Sequence, residues 1–420
     1  MDRIDRIRAR LPKRLTISFP IWGLMDTNEG GAYHDLNRMV REHKERGFNC
    51  IRLESGAGLT HDIDGNRLPP MYITAPYGEY SINRQIFVFG GEGHCDFLQR
   101  LLDLCKACQK YDVYLILSSW YFLHTYWYCP NEWNDRILKT PADEMFMAFA
   151  KYLHYILKEL EDAGCCDRIA FAEIFNEVLA VPDFIGELKD EDISGIDFKV
   201  KHEEALAWLQ EKHPDILFAV DSDDTTADGV DKLPENLQVF NGHNYFLWGI
   251  YGDTLEGGDP KQMQFFRDEI HFEDLVHSRD GLYPLAKSCE PWYTRMAVCN
   301  DLNVTTIPEL EAHLERRMEK NWDVYVKRLE TFIKGYQRVM AAHPNAPIIC
   351  GEGVTYCSSK LVLWEEKSEL YWNMVRLAMQ RYKEIGLWGT VVKTCCGPED
   401  PCWNLCADKL KELNEMFLSE

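Results

Sequence analysis

Eight short apolar segments, separated by helical patterns, recur along this chain and limit the folds open to it. They occupy residues 15–22, 48–53, 113–120, 169–175, 216–222, 237–243, 346–352 and 387–393. Most are apolar at successive positions, which is typical of strands buried on both faces of a parallel sheet. Amphipathic stretches lie between them. In residues 33–47, for example, Tyr33, Leu36, Met39 and Val40 share one helical face.

This alternation predicts an eightfold β/α barrel that forms a single domain over residues 1–420. The chain has 420 residues, whereas a typical barrel has about 250, so insertions are required. Residues 55–95 and 246–310 are the predicted insertions. Both follow strands, at the face of the barrel where active sites form. A doubly wound open sheet is the structural alternative, but no GxGxxG motif follows an early strand.

The composition argues against several partners. With a formal net charge of −22, the chain is a poor ligand for nucleic acids or anionic membranes, because both attract positive charge. The first fifteen residues lack the apolar core of a secretory signal, and no apolar run is long enough to span a bilayer. The 15 cysteines are an odd number, which favours reduced thiols in the cytoplasm over a disulfide framework.

The sequence predicts neither a metal nor a cofactor. Cys105 and Cys108 form a CxxC motif, but they fall in a helical pattern and no second CxxC stands at zinc spacing. Asp221, Asp223 and Asp224, in VDSDDTT, are interpreted as a solvated loop after strand five rather than as metal ligands.

Two of the predicted strands end in glutamates. Glu177 follows strand four in FAEIFNEV, and Glu352 ends strand seven in IICGEG. Strands four and seven lie nearly opposite each other in such a barrel, and catalytic groups project from the C-terminal ends of its strands. The two carboxylates are therefore expected to face one pocket. A pair roughly 5–5.5 Å apart is what a retaining glycosidase needs, one as nucleophile and the other as acid/base.

Four short motifs, on strands two, four, six and seven, resemble those of the clan A retaining glycosidases, the cellulase-like barrels. The resemblance covers most of the chain at the level of strand order. In GFNCIRL, it implies that Arg52 points into the barrel near the nucleophile. In FAEIFNEV, it implies that Asn176 contacts the 2-hydroxyl of the sugar and that Glu177 is the acid/base.

The other two motifs lie on strands six and seven. In GHNY, the resemblance implies a His–Tyr pair, His243 and Tyr245, in which Tyr245 bonds the nucleophile. In PIICGEG, it implies that Glu352 is the nucleophile. Val178 stands where a proline often follows the Asn-Glu pair.

Strand eight departs from the pattern of the clan, which usually ends it with a tryptophan that forms a floor under the sugar. Trp388 stands at the start of this strand, and the strand ends in Lys393, Thr394 and Cys395. The platform is then either supplied by Trp403, in GPEDPCW, or absent.

Three further residues near strand ends each have two possible roles. Trp120 and His124, in SSWYFLHTYWY after strand three, either stack on sugar faces or pack in the core. Glu173 is expected to pair with Arg52 rather than to react, because an unpaired buried charge is costly.

The sequence thus predicts a cytoplasmic retaining β-glycoside hydrolase that acts on oligosaccharides or small glycosides by double displacement. Two alternatives remain. One is a barrel that binds carbohydrate without cleaving it, against which both intact carboxylates count. The other is a metal-dependent barrel hydrolase, which the lack of an HxH pattern weakens.

Overall fold

Parallel strands closed into a barrel form the centre of the fold. The computed structural model describes residues 3–26, 29–73, 93–120, 139–182, 192–247, 249–250, 304–355 and 359–420. Its strands are β1 Leu15–Ser18, β2 Cys50–Glu54, β3 Met71–Ile73, β4 Gly93–Cys95, β5 Tyr114–Ser118, β6 Ile169–Glu173, β7 Phe218–Ser222, β8 Val239–Asn244, β9 Ile348–Gly353 and β10 Gly389–Val391. Strands β3 and β4 form a separate antiparallel pair, and the other eight form a closed barrel in the order β1-β10-β9-β8-β7-β6-β5-β2. The predicted eightfold barrel is confirmed, and each predicted segment overlaps one of its strands.

Helices connect the strands of the barrel. They are α1 Arg3–Arg8, α2 Leu36–Glu45, α3 Phe97–Tyr111, α4 Met145–Asp162, α5 Phe198–Lys212, α6 Ala227–Asp231, α7 Ile307–Lys320, α8 Trp322–Ala342, α9 Trp364–Lys367, α10 Glu369–Glu384, α11 Pro401–Leu405 and α12 Ala407–Leu418. Asp35, Asp96 and Asp197 begin α2, α3 and α5 by accepting a hydrogen bond from a backbone N–H of the first turn. These caps satisfy donors that a helix start otherwise leaves unpaired.

Two apolar layers hold the barrel together. Inside it, residues such as Ile17, Cys50, Ile116, Phe171 and Ile349 form one buried cluster. A larger cluster fills the space between the strands and the surrounding helices. The burial of the strands on both faces explains why their sequences read as continuous apolar runs.

The inner face becomes polar where the strands end. Strands β8 and β9 pair in parallel with a register shift between Gly242 and His243, after which His243 lies level with Glu352. Gly242 has little room for a side chain, because an added Cβ would lie 2.4 Å from the ring of Tyr336. The shift therefore brings a histidine and a glutamate from neighbouring strands to the same height.

The predicted insertions are described only in part. The β3–β4 pair lies in the first of them, residues 55–95, of which 74–92 are outside the described residues. Most of the second, including residues 251–303, also lies outside them.

Among the helices that the structure describes, none has the length and apolar character needed to cross a membrane.

Candidate active site

Arg52 connects the polar groups at the C-terminal end of the barrel. It stands on β2 and is fully buried. Its Nη1 donates to Oε1 of Glu352 at 2.7 Å, and its Nη2 lies 3.0 Å from Oε2 of Glu173. The same Nη2 lies 2.7 Å from both Oδ1 of Asn176 and Oδ2 of Asp221. The predicted contact of Arg52 with Glu173 and Glu352 is therefore present.

The surroundings of Arg52 keep it charged. Burial acts to lower its pKa, but the charges of Glu173, Asp221 and Glu352 outweigh burial and raise it. The aromatic ring of Trp120 lies 4.5 Å from the guanidinium carbon, a distance at which the ring face attracts a cation. Trp120 is buried, so its ring packs on Arg52, in agreement with the core interpretation of this residue.

Glu352 is held at both carboxylate oxygens. It lies near the end of β9, and its side chain is 6% exposed. Arg52 donates to Oε1, and the hydroxyl of Tyr245 donates to Oε2 at 2.5 Å. Burial, together with the charge of Glu352, raises the pKa of Tyr245, so the hydroxyl stays protonated and available as a donor. Two donors, one on β2 and one just after β8, thus fix the orientation of the Glu352 carboxylate.

Glu177 lies just beyond the end of β6 in an unusual backbone conformation. Its φ is 49°, in the left-handed region that residues other than glycine seldom adopt. Its N–H donates to Oδ1 of Asp221 at 2.7 Å, and the N–H of Val178 donates to the backbone carbonyl of Asp221 at 2.9 Å. The side chain of Glu177 is 24% exposed. Burial raises its pKa to about 7, against the opposing effect of His243.

His243 lies among three carboxylates. Its Nδ1 is 3.1 Å from Oε1 of Glu177, and its Nε2 is 3.1 Å from Oδ2 of Asp221 and 3.5 Å from Oε1 of Glu352. Burial acts to lower the pKa of this imidazole, but Asp221 and Glu352 outweigh burial and raise it well above its ordinary value. The raised pKa, with a carboxylate oxygen beside each ring nitrogen, favours the imidazolium form of His243, in which both nitrogens donate.

Glu177 and Glu352 face each other across a short gap. One carboxylate oxygen from each, together with a ring nitrogen of His243, lie within 4.8 Å of one another. Three such groups could in principle surround a metal ion. Each ring nitrogen of His243 already lies 3.1 Å from a carboxylate oxygen, and Glu352 accepts from both Arg52 and Tyr245. A metal ion would have to displace these partners.

A second cluster of possible ligand atoms lies elsewhere among the described residues, formed by Glu366, Asp400 and Cys402. Lys393 occupies part of this region, with Nζ 3.1 Å from Oδ2 of Asp400 and also bonded to Glu365. A buried ammonium next to these carboxylates already supplies positive charge there.

The side chain of Trp403, on α11, is buried against α2 and the segment that follows it. Its side chain is 1% exposed, and its ring stacks on that of Phe48 with centroids 5.8 Å apart. Its Nε1 donates to Glu42 on α2, and the guanidinium of Arg46 lies 4.5 Å from its ring. A ring covered in this way offers no face to a sugar, so the alternative in which Trp403 supplies the platform is wrong. His124 lies outside the described residues.

Thr394, a small polar residue, follows β10, the eighth strand of the barrel, where a tryptophan was the alternative. Oγ1 of Thr394 accepts from the N–H of Gly353 at 2.6 Å and lies 3.4 Å from the hydroxyl of Tyr245. Thr394 thereby connects the end of β10 to the group that holds Glu352. Trp388 lies at the other end of this strand, where its Nε1 donates to the carbonyl of Pro12.

The interpretation of Asp221 as part of a solvated loop is wrong. Its side chain has no exposed surface and pairs with Arg52 and His243. The signal was present in the sequence of β7, FAVDS. Side chains alternate along a strand, so Asp221 shares the direction of Ala219, which packs inside the barrel.

Comparisons with known proteins bear on the fold. No protein family and no curated protein matches this sequence. A "putative glycoside hydrolase" from Parabacteroides distasonis superposes with a TM-score of 0.65 at 16% identity, over 97% of this chain and 94% of that one. An endo-β-mannanase/endo-β-glucanase from Prevotella bryantii superposes with a TM-score of 0.50 at 10% identity, over 98% of this chain and 50% of that one. The chain thus shares its eight-stranded barrel fold with these two proteins, as the alternation of strands and helices predicted.

Proposed function

We propose that this protein is a retaining β-glycoside hydrolase that cleaves oligosaccharides or small glycosides by double displacement. The observation that carries the proposal is the separation of Glu177 and Glu352, whose nearest carboxylate oxygens lie within 4.8 Å. Retaining enzymes have their two carboxyl groups about 5–5.5 Å apart, whereas inverting enzymes leave about 6.5–9.5 Å for a water molecule. The short gap supports direct attack by one carboxylate on the sugar.

Glu352 is the nucleophile in this proposal. Both of its oxygens are held, by Arg52 and by Tyr245, so the carboxylate is oriented before the substrate arrives. Attack on the anomeric carbon forms a glycosyl ester with Glu352 and breaks the bond to the leaving oxygen. Preorganised donors of this kind reduce the reorganisation that the reaction would otherwise require.

Glu177 is the acid/base. Its carboxyl has a pKa of about 7, so it carries a proton in slightly acidic solution and can give it to the leaving oxygen. The resulting carboxylate then takes a proton from the water that hydrolyses the ester, which restores the acid. Its 24% exposure fits a group that must meet both a leaving group and a water molecule.

Asn176 is proposed to bind the sugar 2-hydroxyl, as the resemblance implied. Its Oδ1 accepts from Arg52 at 2.7 Å, which fixes the plane of the amide. The Nδ2 group is then the donor that Asn176 presents to the hydroxyl.

A rescue experiment tests the roles of the two glutamates. Glu352→Gly should abolish hydrolysis, and azide should restore turnover by attacking from the vacated side, giving a glycosyl azide of inverted configuration. Glu177→Ala should still cleave aryl glycosides with activated leaving groups, which depart without a proton. Azide should then give a product of retained configuration, because the ester still forms on Glu352.

Glu173→Gln is the matched control, because Glu173 is also a buried glutamate bonded to Arg52. Azide should not rescue this variant. The opposite stereochemical pattern in the two test variants would reverse the roles of Glu177 and Glu352.

The substrate screen should contain aryl β-glucosides and aryl β-mannosides, because the Prevotella bryantii barrel is named for activity on both kinds of polymer. If the wild type cleaves no glycoside in a broad screen but binds one, the protein is a carbohydrate-binding barrel. The cytoplasmic location remains a prediction, and cell fractionation would test it.

A further inference from the structure

Asp221 contacts more of the site than any reaction step requires. Its Oδ1 accepts from the N–H of Glu177 at 2.7 Å, and its backbone carbonyl accepts from the N–H of Val178 at 2.9 Å. Its Oδ2 lies 2.7 Å from Nη2 of Arg52 and 3.1 Å from Nε2 of His243. Asp221 therefore accepts from two successive backbone N–H groups, those of Glu177 and Val178, and also contacts the side chains of Arg52 and His243.

We propose that Asp221 is a positioning residue for Glu177, which fixes its left-handed turn and holds His243 as the hydrogen-bond donor to its carboxyl. This inference rests on the proposed function and adds to it a residue that never touches the substrate. The first part follows from the two backbone contacts, since a left-handed conformation at a glutamate is strained and persists only where its surroundings impose it.

The second part follows from the charges around His243. Asp221 and Asp223 approach it from the end of β7, Glu177 from the end of β6, Glu352 from β9, and the buried Arg52 lies beyond Asp221 and Glu352. Asp221 is the first of the charges that raise the pKa of His243. Without it, the imidazole would lose its proton at a lower pH.

That loss would reach Glu177. His243⁺ lies 3.1 Å from the Glu177 carboxyl and lowers its pKa. Asp221 touches the backbone of Glu177, not its carboxyl, so the nearer charge of His243 decides the sign. Replacing Asp221 by a neutral residue should therefore raise the pKa of Glu177.

The test compares Asp221→Asn with Glu173→Gln. Both changes remove one buried carboxylate from Arg52, but the described contacts of Glu173 are with Arg52, Asn241 and Ser118. For D221N, the pH above which kcat/KM falls should rise by about one unit, the size of effect that one adjacent charge has. For E173Q, it should move less than for D221N.

Leaving-group dependence gives a second readout. D221N should slow the cleavage of glycosides with poor leaving groups more than that of dinitrophenyl glycosides, because only the former need the proton of Glu177. If D221N lowered the cleavage rate equally for both kinds of substrate and left the pH dependence of kcat/KM unchanged, Asp221 would be merely structural. That result would overturn the proposal.

NMR separates failure of this inference from failure of the proposed function. In ¹⁵N-histidine-labelled protein, the His243 signal, assigned by its loss in His243→Gln, should report two bound protons through pH 7 in the wild type and in E173Q. In D221N it should report one. These spectra need no activity, and a wild-type His243 that titrates near 6.5, the ordinary value, would overturn the inference even if D221N does not fold.

Discussion

Tyr245 donates its hydroxyl hydrogen to Oε2 of Glu352 at 2.5 Å. Both groups are buried, and the tyrosine belongs to the segment after β8 while the glutamate belongs to β9. A hydrogen bond to a carboxylate in such surroundings is stronger than one between neutral groups. It fixes which oxygen of Glu352 is directed away from the tyrosine and which rotamer the side chain adopts.

Tyr245→Phe should lower kcat about 10–100-fold, since one preorganised donor at a reacting group is worth roughly 1–3 kcal/mol. Steady-state kinetics on an aryl glycoside would measure this loss. Tyr155→Phe is the matched control, because the Tyr155 hydroxyl donates to the carbonyl of Ile63 on the surface, and its kcat should equal that of the wild type. An unchanged kcat in Y245F would show that the orientation of Glu352 does not depend on Tyr245.

The wild-type pH profile should fall on its basic side near pH 7. Glu177 must be protonated to act as an acid, and burial raises its pKa to about 7, so kcat/KM decreases as the pH rises through that value. In Glu177→Gln, the residual activity on dinitrophenyl glycosides should lose this limb. If the activity of E177Q still fell near pH 7, the fall would be due to the titration of another group.

Arg52→Met should destabilise the fold by about 3–5 kcal/mol, because it leaves buried carboxylates without their partner. Glu173, Asp221 and Glu352 all pair with this guanidinium. The loss should be smaller in acid, where protonated carboxyls no longer need a cation. Urea unfolding at pH 7 and pH 5 would measure both effects.

Arg10→Met is the control for Arg52→Met. Arg10 pairs with Asp215 at 3.1 Å, but their side chains are 59% and 81% exposed, so its loss should cost less than about 1 kcal/mol. Similar costs for the two variants would contradict the assignment of Arg52 as the central buried cation.

Chelators should leave activity unchanged. The ring nitrogens of His243 both face carboxylates, and Glu352 is held at both oxygens, so a metal would have to displace existing partners. Activity measured after dialysis against EDTA, with metal analysis of the purified protein, checks this. Activity that disappears in EDTA and returns with one divalent ion would favour the metal-dependent hydrolase.

The sequence predicted the parts of the site that depend on local patterns. Arg52 and Glu352 lie on apolar strands, where alternation determines which way a side chain points. Glu177 lies beyond the end of β6, and its Asn-Glu motif rather than alternation predicted it. Asp221 was missed because the polar run after it resembles a loop. Trp403 was misplaced because its position depends on how α11 packs against α2, which no local pattern records.

The register shift between β8 and β9 was also beyond sequence reasoning. It lies between Gly242 and His243, and no residue pattern in either strand predicts it. Without the shift, His243 would not lie level with Glu352. The contacts among His243, Glu177 and Glu352 therefore depend on a detail of strand pairing that only the structure reveals.

Arg52 and Glu352 are 300 positions apart in the chain, and this distance has a consequence for folding. Parallel strands of a barrel cannot be brought together by a tight hairpin, so contacts of such long range form late and slowly. A chain folded only as far as β6 would hold Arg52, Glu173 and Glu177, but none of the partners that β7, β8 and β9 supply. The candidate site cannot exist in half a barrel, so its formation during refolding would require the last strands to have docked.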